Sequence, residues 1–387
     1  MVDKSRIRLG ILFYFDPSWM GGVIYILNII RTLGFLEDED KPEVILLYRK
    51  DLQRFVDEID YPYFQAVRWD FPSASKGYLK SWISGKNQFV DRVLGRFDLD
   101  ALFPVLDFPV RTQSSTRLIS WYADLQHLHY PEFFSRRKRL ERKYRTLLIL
   151  KNADHLVVSS EAVKKDFHRF FTVRPEMQWH THHFVSVLNE TEDLDIKAVR
   201  EKYNLPEEYF IVCNQFHKHK NHKIVLEAIR LLKERGKYAH VAMTGKFPKD
   251  PASPYLKELS RLVESHHLDG QLSFLGLIPR AEQLLLMKNA QAVVQPSLFE
   301  GWSTVIEDAK SLQAPVIASS LEVNKEQLGV YGTYFDPHDP EGLATLLEQH
   351  PCRDVNKMIY EPYADRVKRA ALGLLRIFTG KPAIQIQ

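Results

Sequence analysis

Short apolar runs typical of β-strands alternate with longer runs of helical period along almost the whole chain. This alternation is characteristic of βαβ units, in which helices cover a parallel sheet. The candidate strands are Leu9–Phe15, Val44–Tyr48, Ala101–Pro104, Leu118–Tyr122, His155–Ser159, Phe210–Cys213, His240–Thr244, Leu272–Leu275, Ala292–Gln295, Pro315–Ser319 and Thr333–Phe335. The sequence therefore predicts an α/β fold, and its length of 387 residues favours two domains over one.

A polar, acidic stretch without apolar period, Asn189 to Asp195, marks the expected domain boundary. We therefore predict a first domain over residues 1–187 and a second over residues 188–355. Residues 356–387 form a predicted helical tail whose apolar spacing suits packing against either domain, including a return to the first. The aromatic stretch from Tyr61 to about Lys86 shows no regular period, and no element is predicted there.

Composition places the chain among soluble globular enzymes, with 45% hydrophobic and 26% charged residues. No run of about 18 apolar residues predicts a transmembrane helix. The N-terminal segment has basic residues before an apolar stretch but no small-residue cleavage site, so it is interpreted as a first strand. Two cysteines, Cys213 and Cys352, are too few for a disulfide framework, which favours a cytoplasmic location.

The basic excess of the chain lies in its first half. Residues 1–187 hold 28 Lys and Arg against 23 Asp and Glu, a net +5, and the rest is close to neutral. Much of this excess is concentrated in Arg136–Arg145. Such a run is either a solvated helix face or a surface attracted to anionic lipid. Nucleic acid is less favoured because no aromatic stacking platform accompanies the charge.

The segment from Gln295 to Ser319 carries most of the functional signal. An apolar strand enters a loop containing Pro296 and Gly301, and a helix follows, an arrangement that presents backbone N–H groups to phosphate. Thr304 and Glu307 fit a capping box at the helix start. Glu300 and Asp308 then remain for a ligand. Because carboxylates accept hydrogen bonds from sugar hydroxyls, the segment predicts a nucleotide-sugar site; the alternative is a pair of solvated acids near a helix N-terminus.

Three further segments are candidates for ligand contact. Lys218 and Lys220 lie among three histidines in the turn after the strand Phe210–Cys213, where they suit a diphosphate. The alternatives are a solvated basic loop or a zinc site, although the spacing of the histidines matches no established zinc pattern. Gly21 and Gly22 follow the first strand and would let backbone amides approach a ligand, or simply form a tight turn.

A fourth segment, residues 121–134, follows a strand and mixes aromatic residues with an acid and two histidines. Asp124 and His127 are its candidate reactive residues; the alternative is that the histidines are buried packing residues. A fifth segment ends a buried strand at Ser160, which is predicted to cap the next helix.

The segment after Glu300 resembles the donor-site signature of glycosyltransferase family 4, the retaining glycosyl transferases group 1 with the GT-B fold. That signature has two acids separated by seven residues, followed by a short helix and an apolar strand; here Glu300 and Asp308 have this separation and Pro315 opens the strand. The resemblance covers nearly the whole chain and is strongest from about residue 210 to 350. It implies two Rossmann-like domains whose parallel sheets face a central cleft.

The resemblance also implies roles for individual residues. Glu300 would contact the transferred sugar, and Asp308, one methylene shorter than the usual Glu, would hold the ribose. Lys220 matches the family's phosphate-binding Lys, while Gln215 occupies the position of its Arg, a charge that Lys218 would supply. Asp124 matches a family Asp, and His127 would replace a histidine that is Ala123 here. The remaining donor contacts implied are Gly21 and Gly22 at the diphosphate, Leu277 and Ile278 at the base, and the loop Gly301, Trp302, Ser303 and Thr304.

By the same resemblance, the chain would move a sugar from a nucleoside diphosphate sugar to a hydroxyl acceptor, with retention of configuration and without a metal or other cofactor. The acceptor would be a cell-surface glycan or a lipid-linked precursor, reached through contact of Arg136–Arg145 with an anionic inner membrane face. Three alternatives stay open. They are a binding protein with a degenerate site, an epimerase or phosphorylase on the same fold, and a partner of nucleic acid.

Overall fold

The structure is a computed structural model that describes residues 6–17, 19–188, 194–246, 253–350 and 357–381. It divides into two compact units, Met1–Val187 with Ala364–Gln387, and Leu188–Tyr363. The second unit thus ends at Tyr363 rather than at residue 355. Residues 189–193 of the acidic stretch and Cys352 lie outside the described residues.

The first unit is built on a seven-stranded sheet. Its strands are β1 (Arg8–Phe13), β2 (Glu43–Tyr48), β3 (Phe64–Arg68), β4 (Ala101–Phe103), β5 (Arg117–Tyr122), β6 (His155–Val158) and β7 (Gln178–Thr181). Its helices are α1 (Met20–Leu33), α2 (Gln53–Val56), α3 (Ala74–Ser84), α4 (Asp91–Leu94), α5 (Gln126–His129), α6 (Arg136–Asn152) and α7 (Glu161–Phe170). The strands are all parallel, in the order β3-β2-β1-β4-β5-β6-β7.

The second unit is built on a six-stranded sheet. Its strands are β8 (Phe210–Cys213), β9 (Val241–Thr244), β10 (Leu272–Gly276), β11 (Val293–Gln295), β12 (Val316–Ser319) and β13 (Thr333–Phe335). Its helices are α8 (Ile196–Lys202), α9 (His222–Glu234), α10 (Pro254–His266), α11 (Arg280–Asn289), α12 (Thr304–Ser311), α13 (Glu322–Leu328) and α14 (Pro340–Glu348). This sheet is also parallel, in the order β10-β9-β8-β11-β12-β13.

Both sheets share the strand order of a Rossmann-like fold, in which the chain reverses direction across the sheet once. The reversal lies between β1 and β4 in the first unit and between β8 and β11 in the second. Apart from the half-buried Arg8 and Glu43 that begin β1 and β2, the central strands are buried and largely apolar, as expected for parallel strands covered on both faces. These findings confirm the predicted α/β class with two parallel-sheet domains. Ligands of such sheets bind beyond the carboxyl ends of the strands at the reversal point.

The last helix, α15 (Tyr363–Thr379), packs most of its length in the first unit. Its apolar side chains Val367, Leu374 and Phe378 are buried, and the ring centroid of Phe378 lies 5.6 Å from that of Phe103 in β4. The predicted tail is therefore a helix of the first unit from Ala364 onward.

Two elements occupy the stretch in which the sequence predicted none. β3 is an edge strand with a largely exposed side-chain pattern, so it lacks the apolar run that identifies a buried strand. α3 carries exposed apolar residues that obscure its helical period.

α1 begins at Met20, which places Gly21 and Gly22 in its first turn rather than in the loop before a helix at Val23. The ring of Trp19 lies over Gly22, where a Cβ atom would be 2.5 Å from the ring. Gly22 therefore permits a close approach of Trp19 to the helix. The predicted cap of α7 is confirmed, since Ser160 Oγ accepts a hydrogen bond from the N–H of Val163 at 3.1 Å.

The basic run Arg136–Arg145 forms the first half of α6. Some of its cations have contacts within the unit: Arg145 pairs with the buried Asp107 at 2.8 Å, and the Arg142 guanidinium lies 4.7 Å from the ring centroid of Phe134. Arg136, Arg137 and Lys143 are exposed. Among the described residues, no helix has both the length and the apolar character needed to cross a membrane.

The buried His182, which follows β7, predicts a pH dependence of stability. Burial lowers its pKa to about 3, so the folded protein keeps it neutral while the unfolded chain binds a proton below about pH 6.5. Stability is therefore lost as the pH falls below 6.5. We expect His182→Gln to reduce the difference in unfolding free energy between pH 7.5 and pH 5.5 by roughly 1 kcal/mol.

Thermal unfolding at the two pH values measures this effect, which corresponds to roughly 2–4 °C for a unit of this size. The control is His338→Gln, which replaces an exposed histidine of the second unit and is measured in the same way. The same pH dependence in His182→Gln and the parent protein would contradict the assignment.

Candidate functional site in the second unit

Two turns meet at the reversal point of the second sheet. One joins β8 to α9, and the other joins β11 to α12. The N–H of Leu298 donates a hydrogen bond to the carbonyl of His219 at 2.7 Å, and Lys220 Nζ lies 2.6 Å from Glu300 Oε1. The two turns that the sequence analysis singled out are therefore in direct contact.

Glu300 is held by several donors at once. Its Oε1 accepts hydrogen bonds from Gln295 Nε2 at 2.7 Å and Ser297 Oγ at 2.6 Å, besides the ammonium of Lys220. The Glu300 side chain is 9% exposed and that of Lys220 19%. Burial acts to raise the pKa of Glu300, but the charge and hydrogen bond of Lys220 outweigh it, and the pKa lies below its ordinary value. Glu300 is therefore ionised at neutral pH.

A buried network of polar side chains supports the residues that donate hydrogen bonds to Glu300. Asn214 Nδ2 donates to Gln295 Oε1 at 2.9 Å, and Ser319 Oγ donates to the carbonyl of Ser297 at 2.6 Å. Asn324 Nδ2 in turn donates to the carbonyl of Ser319 at 2.9 Å. The sequence analysis missed these residues. The available signal was the polar residue that ends or directly follows each of the apolar strands β8, β11 and β12.

Ser303, not Thr304, caps α12. Its Oγ accepts a hydrogen bond from the N–H of Ile306 at 3.3 Å, and Gln327 Nε2 donates to its carbonyl at 2.8 Å. The predicted capping box of Thr304 and Glu307 is therefore wrong by one residue. The hydroxyl of Ser303 or of Thr304 could cap the helix, and the contact from Gln327 of α13 favours Ser303. Glu307 is buried and accepts hydrogen bonds from Gln327 at 2.9 Å and Lys310 at 3.2 Å, so it has structural partners.

Asp308 is buried and forms an ion pair with Arg280, the first residue of α11. Burial acts to lower the pKa of Arg280, but the Asp308 carboxylate raises it above its ordinary value. Arg280 had not been predicted as a site residue, since nothing in the local sequence connects positions 280 and 308. The predicted ribose contact of Asp308 would be made beside this guanidinium.

A lysine that the sequence analysis missed, Lys246 after β9, lies beside the basic turn. Gln215 and Lys218 are exposed, and Gln215 Oε1 accepts a hydrogen bond from the N–H of Lys246 at 3.2 Å. The preceding Gly245 has φ of 131°, and a Cβ atom there would lie 2.5 Å from the carbonyl oxygen of Asn214. Glycine therefore allows the end of β9 to approach the turn closely, which brings Lys246 beside Gln215.

The three histidines of the turn do not add positive charge to it at neutral pH. Burial, with the charge of Lys220, lowers the pKa of His219 to about 4, and burial lowers that of His222 to about 3. His222 stacks on Phe216 with ring centroids 4.3 Å apart, and His217 stacks on His219. Within the described ranges, no cluster of three His, Cys, Asp or Glu side chains is arranged to hold a metal ion.

The predicted base-contacting residues directly follow β10. Leu277 is exposed, and Ile278 packs partly against the core of the second unit. The loop after Glu300 places Gly301 in a buried position and Trp302 in a half-buried one. The structure thus gathers Lys220, Glu300 and the N-terminus of α12 into one place.

Comparison with known sequences agrees with this geometry. The sequence pattern of the family described as glycosyl transferases group 1 matches residues 195–350, which cover the turns and sheet just described. Because residues 195–350 are similar to the glycosyl transferases of group 1, they are called the group 1 domain below.

Relatives of this domain include the serotype-specific mannosyltransferase WbdA of Escherichia coli, 26% identical over 155 residues. That match covers 40% of this chain but only 19% of WbdA, so the chain spans about a fifth of the length of this relative. The O-antigen chain mannosyltransferase RfbU of Salmonella typhimurium is 24% identical over 226 residues, 58% of each chain.

Solved structures establish the fold for nearly the whole chain. Sucrose-phosphate synthase from Thermosynechococcus elongatus has a TM-score of 0.67 at 16% identity, with 97% of this chain and 99% of that chain covered. HepE from Anabaena, solved in complex with UDP and glucose, has a TM-score of 0.64 at 16% identity and covers 97% of this chain and 98% of its own. The predicted GT-B fold is confirmed.

The remaining predicted residues lie in the first unit, outside the group 1 domain. Asp124 Oδ1 accepts a hydrogen bond from the N–H of Gln126 at 3.0 Å, at the start of α5. His127 is 1% exposed, and neither ring nitrogen has a hydrogen-bond partner among the described residues. Burial, with the charge of Arg142, lowers its pKa to about 4, so the ring is neutral at pH 7. The roles of Asp124, His127, Gly21 and Gly22 stay predictions.

The first unit also contains a cavity of about 970 Å³ beyond the carboxyl ends of β1, β2 and β3. Trp69 and Phe71 contribute aromatic walls, and Arg49, Arg68 and Arg145 contribute guanidinium groups. Arg145 is fixed there by Asp107, which also accepts a hydrogen bond from Tyr78 at 3.1 Å. Aromatic rings beside paired charges can receive the apolar faces and the hydroxyls of a saccharide.

The contact between Lys220 and Glu300 predicts energetic coupling in the group 1 domain. Lys220→Met leaves a largely buried carboxylate unpaired, and Glu300→Gln leaves the ammonium without its partner. Each change should destabilise the protein by about 2 kcal/mol, the cost of leaving a largely buried polar group without its partner. The double variant should be destabilised by less than the sum of the single changes, by at least about 1 kcal/mol.

Denaturant unfolding of the full chain measures the four corners of this cycle. Lys288→Met and Glu264→Gln form the matched control, because both side chains are exposed and show no ion pair in the described structure. Additive effects of Lys220→Met and Glu300→Gln, within about 0.5 kcal/mol, would show that the contact is not formed.

Proposed function

We propose that the chain is a glycosyltransferase that moves a hexose from a nucleoside diphosphate sugar to a hydroxyl acceptor, with retention of configuration. The observation that carries the proposal is the ion pair of Lys220 and Glu300 at the strand-order reversal of a group 1 domain. It places a fixed cation and a fixed carboxylate beside the N-terminus of α12, where phosphate and sugar would meet.

The charges of the site suit a diphosphate leaving group. As the bond between the anomeric carbon and the diphosphate breaks, negative charge grows on the phosphate oxygens, and Lys220 and the amides of Gly301 to Thr304 stabilise it. An ammonium has three donors, so Lys220 can contact a phosphate while it keeps its bond to Glu300. Lys218 and Lys246 would supply the charge that Gln215 lacks. Transfer would proceed without a metal ion or other cofactor.

We place the proposed acceptor site in the first unit. We propose that the cavity bounded by Trp69, Phe71 and Arg145 receives a glycan or the polar part of a lipid-linked precursor. Asp124 and His127 would assist the acceptor or the reacting sugar. A cytoplasmic protein that works at the inner face of a membrane, with the basic run Arg136–Arg145 towards anionic lipid, fits this acceptor class.

The nature of the donor is open to direct test. WbdA and RfbU are mannosyltransferases, whereas HepE was solved with UDP and glucose. A thermal-shift screen with UDP-, GDP-, ADP- and dTDP-sugars, followed by calorimetry, identifies the base and sugar that bind. Turnover is then measured as release of the nucleoside diphosphate in the presence of hydroxyl acceptors.

A catalytically degenerate binding protein is the second candidate, favoured by Gln215 and Ala123 in place of the family's Arg and His. The two candidates differ in turnover. Binding of a nucleotide sugar without any transfer or hydrolysis across the acceptor panel would support the binding protein and exclude the enzyme.

Lys220→Ala should weaken binding of the free nucleoside diphosphate by about 1.5–3 kcal/mol, the contribution of a charge-assisted hydrogen bond. Calorimetry with the diphosphate chosen by the screen measures this loss. Lys288→Ala is the matched control and should bind as the parent does. Equal affinity in Lys220→Ala and the parent would contradict the diphosphate site.

Glu300→Gln should lower the rate of sugar transfer by more than tenfold, because the amide cannot reproduce the negative charge beside the transferred sugar. The melting temperature should also fall, since the Lys220 pair is lost. Assays well below the melting temperature separate the two effects. Glu264→Gln serves as control, and transfer by Glu300→Gln at the parental rate would refute the assignment of Glu300.

A further inference from the structure

Two helices of the first unit present apolar side chains to solvent side by side. α3 and α6 are both tied to the buried Asp107, through Tyr78 at 3.1 Å and Arg145 at 2.8 Å. Their outer surfaces also meet, because the rings of Trp82 and Tyr144 are in edge contact with centroids 6.5 Å apart. The exposed large apolar residues of these helices, here called the α3–α6 face, are Leu79, Trp82, Ile83, Leu140, Tyr144 and Leu147.

The spacing of these residues shows that the face is a regular surface of each helix. Leu79, Trp82 and Ile83 follow i, i+3, i+4 on α3, and Leu140, Tyr144 and Leu147 follow i, i+4, i+7 on α6. The opposite side of each helix is already buried in the unit, through residues such as Ser81 and Ile149. Ile83 is 79% exposed and Leu140 68%. Such a contiguous apolar patch marks an interaction surface.

The charge around the face has one sign. Lys80 and Lys86 at α3 are exposed, as are Arg136, Arg137 and Lys143 on α6. α3 contains no acidic residue, and the acidic Glu141 of α6 is paired with Lys138 at 3.2 Å. The cations of the basic run therefore form two groups. Arg142 and Arg145 have partners within the unit, whereas Arg136, Arg137 and Lys143 are exposed around the apolar residues.

We propose that the α3–α6 face docks on an anionic lipid bilayer, with its apolar side chains in the headgroup–acyl boundary and its lysines and arginines on the lipid phosphates. Apolar residues with Trp and Tyr, bordered by cations, have the composition of interfacial membrane-binding surfaces. A second copy of the chain is the poorer partner, because a twofold contact would bring two basic surfaces together. The inference rests on the membrane contact named in the proposed function, and it is separate from sugar transfer, since docking needs neither donor nor acceptor.

Flotation with vesicles of phosphatidylglycerol and phosphatidylcholine tests the proposal, with pure phosphatidylcholine vesicles as the uncharged reference. The full-length protein should float with the anionic vesicles, and high salt should weaken the association. Ile83→Glu combined with Leu140→Glu should lower the partition coefficient at least tenfold. Val330→Glu is the matched control, because Val330 is 91% exposed in the second unit and should not affect binding.

The charge contribution is tested separately. Arg136→Gln, Arg137→Gln and Lys143→Gln together should lower partitioning into anionic vesicles by tenfold or more, and they should flatten its salt dependence. Lys288→Gln should have no effect. Brominated acyl chains should quench the fluorescence of the bound protein, and Trp82→Phe should remove most of this quenching.

Three outcomes would overturn the proposal. The first is no association with anionic vesicles, and the second is equal association of the Ile83→Glu, Leu140→Glu protein and the parent. The third is concentration-dependent self-association in sedimentation velocity that this double variant abolishes, without vesicle binding by the parent. Donor affinity, measured in solution on the same variants, should be unchanged, so failure here is distinguishable from failure of the proposed sugar transfer.

Discussion

The ion pair of Lys220 and Glu300 joins two turns that are 80 residues apart in sequence. It forms because the strand order places β8 next to β11, so that the segments leaving both strands emerge at one point of the sheet edge. Burying two charges is costly, and a buried pair is weak evidence for stability alone. Here the hydrogen bonds from Gln295 and Ser297 offset part of that cost, and the result is a carboxylate and an ammonium in fixed positions.

Fixed charges suit the proposed release of a nucleoside diphosphate. A preorganised site does not have to reorient its dipoles as charge develops, and satisfied buried polar networks hold such groups in place. Asn214, Gln295 and Ser319 continue the network across three neighbouring strand ends. Gln215, Lys218 and Lys246 differ from them, since their side chains are exposed. The site thus combines a buried, hydrogen-bonded centre with an exposed basic rim.

Strands were predicted best from the sequence where burial produces a continuous run of apolar residues. β8 and β13 were predicted with the bounds that the structure shows, whereas the edge strand β3 was missed because only one side of such a strand needs apolar residues. Within the site, the two turns and their acids were predictable from local spacing. The pairing of Asp308 with Arg280 and the contact of Ser303 with Gln327 were not, because packing between separate elements decides them.

The basic residues of α6 show the same limit of sequence-based prediction within a single helix. The run Arg136–Arg145 is visible in the sequence, but successive residues of a helix point about 100° apart, so their functions diverge. Arg145 points inward to Asp107 and lines the cavity of the first unit, while the neighbouring Tyr144 belongs to the exposed α3–α6 face. The same helix therefore forms a wall of the cavity and part of the outer surface. A membrane bound to the outer surface would therefore contact the helix that positions Arg145 beside the space proposed for the acceptor.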